Sequence, residues 1–125
     1  MKDKIKILIV DDEEHTRMGY KEVLEMSDYE ADAAGDARTG LELAGKKQYD
    51  VIITDLRMPE VDGLAFLERL RKFDEISKAI VITAFGSFKT YKKSQDLGAV
   101  TYLNKPVKAA DLKGAVDEVL GDIGS

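Results

Sequence analysis

Four short runs of β-branched and aliphatic residues punctuate this chain, with segments of helical length between them. They are Ile5-Lys6-Ile7-Leu8-Ile9-Val10, Val51-Ile52-Ile53-Thr54, Ala79-Ile80-Val81-Ile82-Thr83 and Val100-Thr101-Tyr102-Leu103-Asn104. A weaker run, Ala31-Asp32-Ala33-Ala34, follows Tyr29. A half-exposed strand alternates apolar with polar residues, whereas runs this continuous belong to strands covered on both faces. Between the runs, apolar residues fall at helical spacing. Thr16 to Met26 carries Tyr20, Val23 and Leu24; Ala37, Leu41 and Ala44 stand at i, i+4 and i+7; Leu64, Phe66, Leu67 and Leu70 follow Asp62, a candidate N-cap. Leu112, Ala115, Val116, Val119 and Leu120 mark a last helix, while Ser87 to Leu97 has the poorest pattern, with Phe88 and Tyr91 set among lysines. Gly45 and Gly98 stand where helix C-caps are expected. The alternation predicts five βα units, an α/β (βα)5 doubly wound parallel sheet.

Composition bounds what such a chain does. Its 125 residues suit one domain, expected to span 1–125. A content of 44% hydrophobic and 34% charged residues supports a packed core. The net charge of -5 argues against general nucleic-acid or anionic-membrane binding, both of which need a cationic face. Without cysteine there is no disulfide, thiolate metal site or cysteine nucleophile. The apolar run after Met1-Lys2-Asp3-Lys4 is too short for a signal peptide and none reaches a membrane span, so a cytoplasmic location is expected.

In doubly wound sheets the ligand site lies beyond the carboxyl ends of the strands, where the strand order reverses. The residues leaving those ends carry the chemistry. The first strand exits into Asp11-Asp12-Glu13-Glu14 and the third into Asp55; the fourth ends at Thr83 and the fifth exits into Lys105-Pro106. Parallel strands bring these groups to one edge. Two carboxylates 4 Å apart repel by about 1 kcal/mol in water and about 4 kcal/mol at an effective dielectric near 20. Asp11, Asp12 and Asp55 together therefore call for a cation, and Mg2+ suits a few carboxylates sharing a phosphate. Lys105 reads as the anion partner, a mobile point charge suited to phosphate, and the Thr83 hydroxyl is able to donate to a phosphoryl oxygen. The acidic exit of the first strand repels a pyrophosphate, and no glycine-rich dinucleotide or Walker motif is present. His15 reads as a surface residue at a helix start.

Ile7-Leu8-Ile9-Val10-Asp11-Asp12, Asp55-Leu56-Arg57-Met58-Pro59 with Asp62-Gly63, Thr83-Ala84 and Lys105-Pro106 resemble the receiver domain of two-component response regulators. The resemblance runs from about Lys4 to Leu120. It implies a flavodoxin-like sheet in the order 2-1-3-4-5 and a cis Lys105-Pro106 peptide. Asp55 would be the phosphoacceptor, forming an aspartyl-phosphate. Asp11, Asp12, Asp55 and the backbone carbonyl of Arg57 would hold Mg2+, and Thr83 and Lys105 would contact the phosphoryl oxygens. Thr83 and Tyr102 would be switch residues, moving the face formed by the fourth helix, fifth strand and last helix. Arg57 and Phe85 would flank the path of the hydrolytic water. The implied partners are a sensor histidine kinase or phosphotransfer protein and a downstream effector, without direct nucleic-acid or membrane contact. Catalysis would be limited to self-phosphorylation and self-dephosphorylation. The family is usually monomeric, with phosphorylation-linked dimers through the switching face. A stand-alone regulator and a receiver cut from a longer chain both fit.

Three rivals differ at identifiable residues. A haloacid-dehalogenase-like phosphatase resembles D-x-D, but Arg57 stands where its second aspartate would be. A flavodoxin-like cofactor binder wants a Ser/Thr/Gly-rich loop where this chain has Asp11 to Glu14. A degenerate receiver would lack one of the motif residues, all of which are present.

Overall fold

The computed structural model describes residues 4–84 and 86–124, with side chains to 121. Phe85, and the first three residues that bear on a leader segment, lie outside the described residues. Strands and helices alternate throughout: β1 (Lys6–Val10), α1 (Glu14–Met26), β2 (Glu30–Ala34), α2 (Ala37–Lys46), β3 (Val51–Asp55), α3 (Gly63–Leu70), β4 (Lys78–Thr83), α4 (Phe88–Asp96), β5 (Ala99–Asn104) and α5 (Ala109–Gly124). All strand pairings are parallel, in the order β2-β1-β3-β4-β5. The order reverses at β1, which lies between β2 and β3.

Successive side chains of a strand point to opposite faces, and both faces here are covered. Leu8, Val10, Ile52 and Val81 pack with Phe66, Leu67 and Leu70 of α3 and Leu41 of α2. Ile7, Ile9, Ile53, Ile80 and Ile82 pack on the other side with Leu24 of α1 and Leu112 and Val116 of α5. This two-sided burial is why the strands read as unbroken apolar runs. Edge strand β2 is weaker in sequence because its Asp32 faces Lys47 and Tyr49 at the rim, at 3.1 and 2.7 Å.

Helix boundaries follow local chemistry. The Asp62 carboxylate accepts from the Ala65 N–H at 2.9 Å, the expected N-cap of α3. Ser87 and Thr90 form a reciprocal capping box at α4. Gly98 has φ +88°, in the left-handed region that terminates α4. Gly45 departs from expectation: it lies inside α2, which continues to Lys46 and ends in extended backbone at Lys47. The first helix begins at Glu14, two residues before Thr16. Neither Phe88 (71% exposed) nor Tyr91 (39% exposed) packs into the sheet core.

The two glycines of α2 separate propensity from packing. A Cβ at Gly45 meets nothing within 4 Å, so Gly45→Ala is expected to stabilise by about 0.5–1 kcal/mol. A Cβ at Gly40 would lie 2.9 Å from Val10 Cγ2 and 3.0 Å from Phe66 Cε1. Overpacking there costs about 1–3 kcal/mol and outweighs the propensity gain. Urea unfolding is expected to show opposite shifts in midpoint for the two variants.

Candidate functional site

The strand reversal and the register assemble the site. Val10 pairs with Thr54, so Asp11 and Asp55 leave neighbouring strands side by side. Asp55 pairs with Ile82, and Thr83 with Asn104, which places Thr83 and Lys105 on the same edge. The Lys105 N–H donates to the Thr83 carbonyl at 2.9 Å, carrying the register one residue past β5. The Lys105-Pro106 peptide is cis, as expected.

Lys105 Nζ bridges two buried carboxylates, 2.7 Å from Asp55 Oδ2 and 3.0 Å from Asp11 Oδ2. Backbone groups hold the remaining oxygens: Asp11 Oδ1 accepts from the Glu13 N–H at 2.9 Å, and Asp55 Oδ1 from the Arg57 N–H at 3.0 Å. Burial pushes the Asp11 carboxyl above its ordinary value, against the lowering pull of the Glu13 N–H and Lys105. Burial acts to lower the Lys105 ammonium, but the hydrogen bonds it donates to Asp55 and Asp11 overcome this and hold the lysine above its ordinary value.

Asp12 completes the cluster from an exposed position, and one carboxylate oxygen from each of Asp11, Asp12 and Asp55 lies within 4.8 Å of the others. Three hard oxygen donors converging on one point, set against a single ammonium, fit a divalent cation. A hollow of about 430 Å³ lined by Asp12, Leu56, Arg57, Met58, Pro59 and Asp62 adjoins the cluster, so Arg57 lies beside the carboxylates. Thr83 is fully buried at the strand end.

Two features have little or no signal in residue chemistry alone. Gly63, at the start of α3, donates its N–H to the Leu56 carbonyl at 3.0 Å. A Cβ there would fall 2.1 Å from the Asp55 carbonyl oxygen, so only glycine lets α3 begin this close to the strand carrying Asp55. Its one signal was its place in the Asp62-Gly63 motif that carried the family resemblance. Tyr102, in contrast, is half-buried and tied to α4: its hydroxyl shares a hydrogen bond with Thr90 Oγ1 at 3.0 Å, and its ring meets Tyr91 edge-on at 5.4 Å. His15 is exposed near the start of α1.

Metal coordination needs the carboxylate form, and the raised Asp11 value lets protons compete at higher pH than for an ordinary aspartate. Affinity for Mg2+, measured by titration calorimetry across pH, is therefore expected to weaken on acidification from a point above the ordinary 3.8. A profile flat down to that value would contradict this ordering.

A family model of the response regulator receiver domain matches residues 7–117. Sporulation initiation phosphotransferase F of Bacillus subtilis is 32% identical over 115 residues, covering 92% of this chain and 93% of that protein. A probable chemotaxis protein CheY of Rhizobium etli is 32% identical over 122 residues, covering 95% of each. The regulatory protein AtoC of Escherichia coli is also 32% identical, but only 25% of its length is covered. Among solved structures, a CheY-like receiver domain protein of Methanospirillum hungatei superposes with a TM-score of 0.92 at 30% identity, covering 96% of each chain.

Proposed function

We propose, because this chain belongs to the family of response regulator receiver domains, that Asp55 accepts a phosphoryl group and that the resulting aspartyl-phosphate is its signalling state. The observation that carries this reading is the Lys105 ammonium bridging Asp55 and Asp11 at 2.7 and 3.0 Å, with the exposed Asp12 beside them. The chemistry is a displacement at phosphorus. An Asp55 carboxylate oxygen forms the new P–O bond as the P–N bond of a phosphohistidine breaks, and the imidazole leaves with its electron pair. A small acyl phosphate serves in the same way, with its P–O bond breaking.

Phosphoryl transfer demands chiefly position and charge neutralisation. The register of β1 and β3 supplies position, and the Arg57 N–H fixes the orientation of the Asp55 carboxylate. Lys105 supplies mobile positive charge, and the Thr83 hydroxyl is assigned to a phosphoryl oxygen. Asp11, Asp12, Asp55 and the Arg57 carbonyl would hold Mg2+, which when bound neutralises charge on the transferring oxygens. Arg57 is also assigned, as an exposed neighbour of the site, to slowing entry of the hydrolytic water.

Phosphorylation adds roughly 1.5 to 2 negative charges, which draw Lys105 and Thr83 toward the phosphoryl group. The face formed by α4, β5 and α5 is assigned as the element that responds. Its Tyr102 is hydrogen-bonded to Thr90 in the first turn of α4, and Phe88 and Tyr91 are exposed beside it. The donor is a sensor histidine kinase or a phosphotransfer protein and the recipient an effector. One relative is itself named a phosphotransferase. No helix among the described residues is long and apolar enough to cross a membrane, in keeping with a cytoplasmic switch. Its only chemistry is gaining and losing its own phosphoryl group, as a monomer or a phosphorylation-linked dimer.

Incubation with acetyl phosphate and Mg2+, read by intact mass, is expected to add one phosphoryl group to the wild-type chain and none to Asp55→Asn or in the presence of a chelator. An unchanged wild-type mass, or equal gain by Asp55→Asn, would refute the assignment.

A further inference from the structure

Asp11 and Asp12 sit in the β1–α1 connection, and their aim depends on how that backbone is held. Asp11 is fixed by its contacts to Lys105 and the Glu13 N–H. The Asp12 carboxylate makes no hydrogen bond or ion pair among the described residues, so its direction is set by its backbone. Arg17, in the first turns of α1, reaches back to that backbone: its Nη1 donates to the Asp11 carbonyl at 3.4 Å and to the Asp12 carbonyl at 3.5 Å. Each bond is long and individually weak. One Nη1 shared between two successive carbonyls nonetheless restrains both peptide planes.

The seat of the guanidinium is built by the fold. Gly35 follows β2 on the same edge, and a Cβ there would come 3.3 Å from Arg17 Cζ and Nη1. The bare glycine gives the group its place, while the Arg17 N–H, donating to the Glu13 carbonyl at 3.0 Å, ties the same residue to the helix start. Arg17 makes no ion pair with a carboxylate among the described residues. It therefore leaves Asp11 and Asp12 available as ligands.

We propose that Arg17 is a positioning residue for the divalent-cation pair Asp11 and Asp12: its guanidinium, seated over Gly35, fixes the two loop carbonyls and so aims both carboxylates at the cluster. This rests on the metal reading of the site given above. It differs in sign from a purely electrostatic role. Removing a positive charge near a cation site tightens cation binding, whereas removing a support for the ligands weakens it by about tenfold or more.

Titration calorimetry with Mg2+ at fixed pH, on the wild-type chain, Arg17→Ala, Arg17→Lys and Gly35→Ala, separates the two. The expected result is about tenfold weaker binding for Arg17→Ala. Arg17→Lys, which keeps the charge and a donor nitrogen on a flexible stem, should recover part or all of it, and Gly35→Ala, which keeps Arg17 but crowds its seat, should show a smaller loss. Thermal midpoints without metal report folding. Should Arg17→Ala fail to fold, Arg17→Met, which keeps the apolar stem without the donor nitrogens, decides, with unchanged affinity refuting the proposal. Arg17→Ala binding Mg2+ as tightly as the wild type, or more tightly, overturns it. A wild-type chain that takes up no Mg2+ would overturn the metal reading and this inference with it.

Discussion

The Lys105 ammonium, 2.7 Å from one buried carboxylate and 3.0 Å from another, is the contact on which the rest of this molecule turns. Asp11 and Asp55 leave adjacent strands at the reversal of the sheet, and both are almost fully buried. Two such charges side by side are tolerable only with a cation between them. A lysine is a cation on a flexible stem, able to leave one anion for another. In this structure it satisfies Asp11 and Asp55; after the proposed transfer to Asp55 it would have a phosphoryl group to meet.

The rest of the fold holds this edge in place. Two-sided packing buries β1, β3 and β4 and fixes their register, which decides which residues meet at the carboxyl ends. Gly63 lets α3 start against the Asp55 carbonyl, and the Asp62 cap holds that start. The opposite requirement holds for α4, where helix propensity is poor, aromatics are exposed and the capping box is shared with the hydroxyl that touches Tyr102. A helix held by its caps and by contacts with β5 and α3, with Ser94 its one buried residue among those described, is the part of such a fold most readily moved.

Much of this was legible in the sequence because its signals are local or periodic. Continuous runs such as Val51 to Thr54 announced buried parallel strands, and Asp11, Asp55 and Lys105 could be brought together from strand ends alone. The strand order came from family resemblance, since periodicity does not say which strands are neighbours. What stayed hidden depends on three-dimensional approach. Gly45 resembled a helix terminator, yet a helix can run through a glycine and end where the next strand demands. Gly40 and Gly63 differ from it only in what a Cβ would strike. Arg17 belongs to no motif, and its role is visible only once Gly35 is brought beneath it.

The most direct test is a crystal structure of the chain with Mg2+ and beryllium fluoride, a tetrahedral mimic of the phosphoryl group. The expected result is the mimic bonded to an Asp55 carboxylate oxygen, the cation among Asp11, Asp12 and Asp55, and Lys105 Nζ turned from Asp11 to a fluorine. A mimic bound away from Asp55, or Lys105 still bridging the two carboxylates with the mimic in place, would contradict the phosphoacceptor reading.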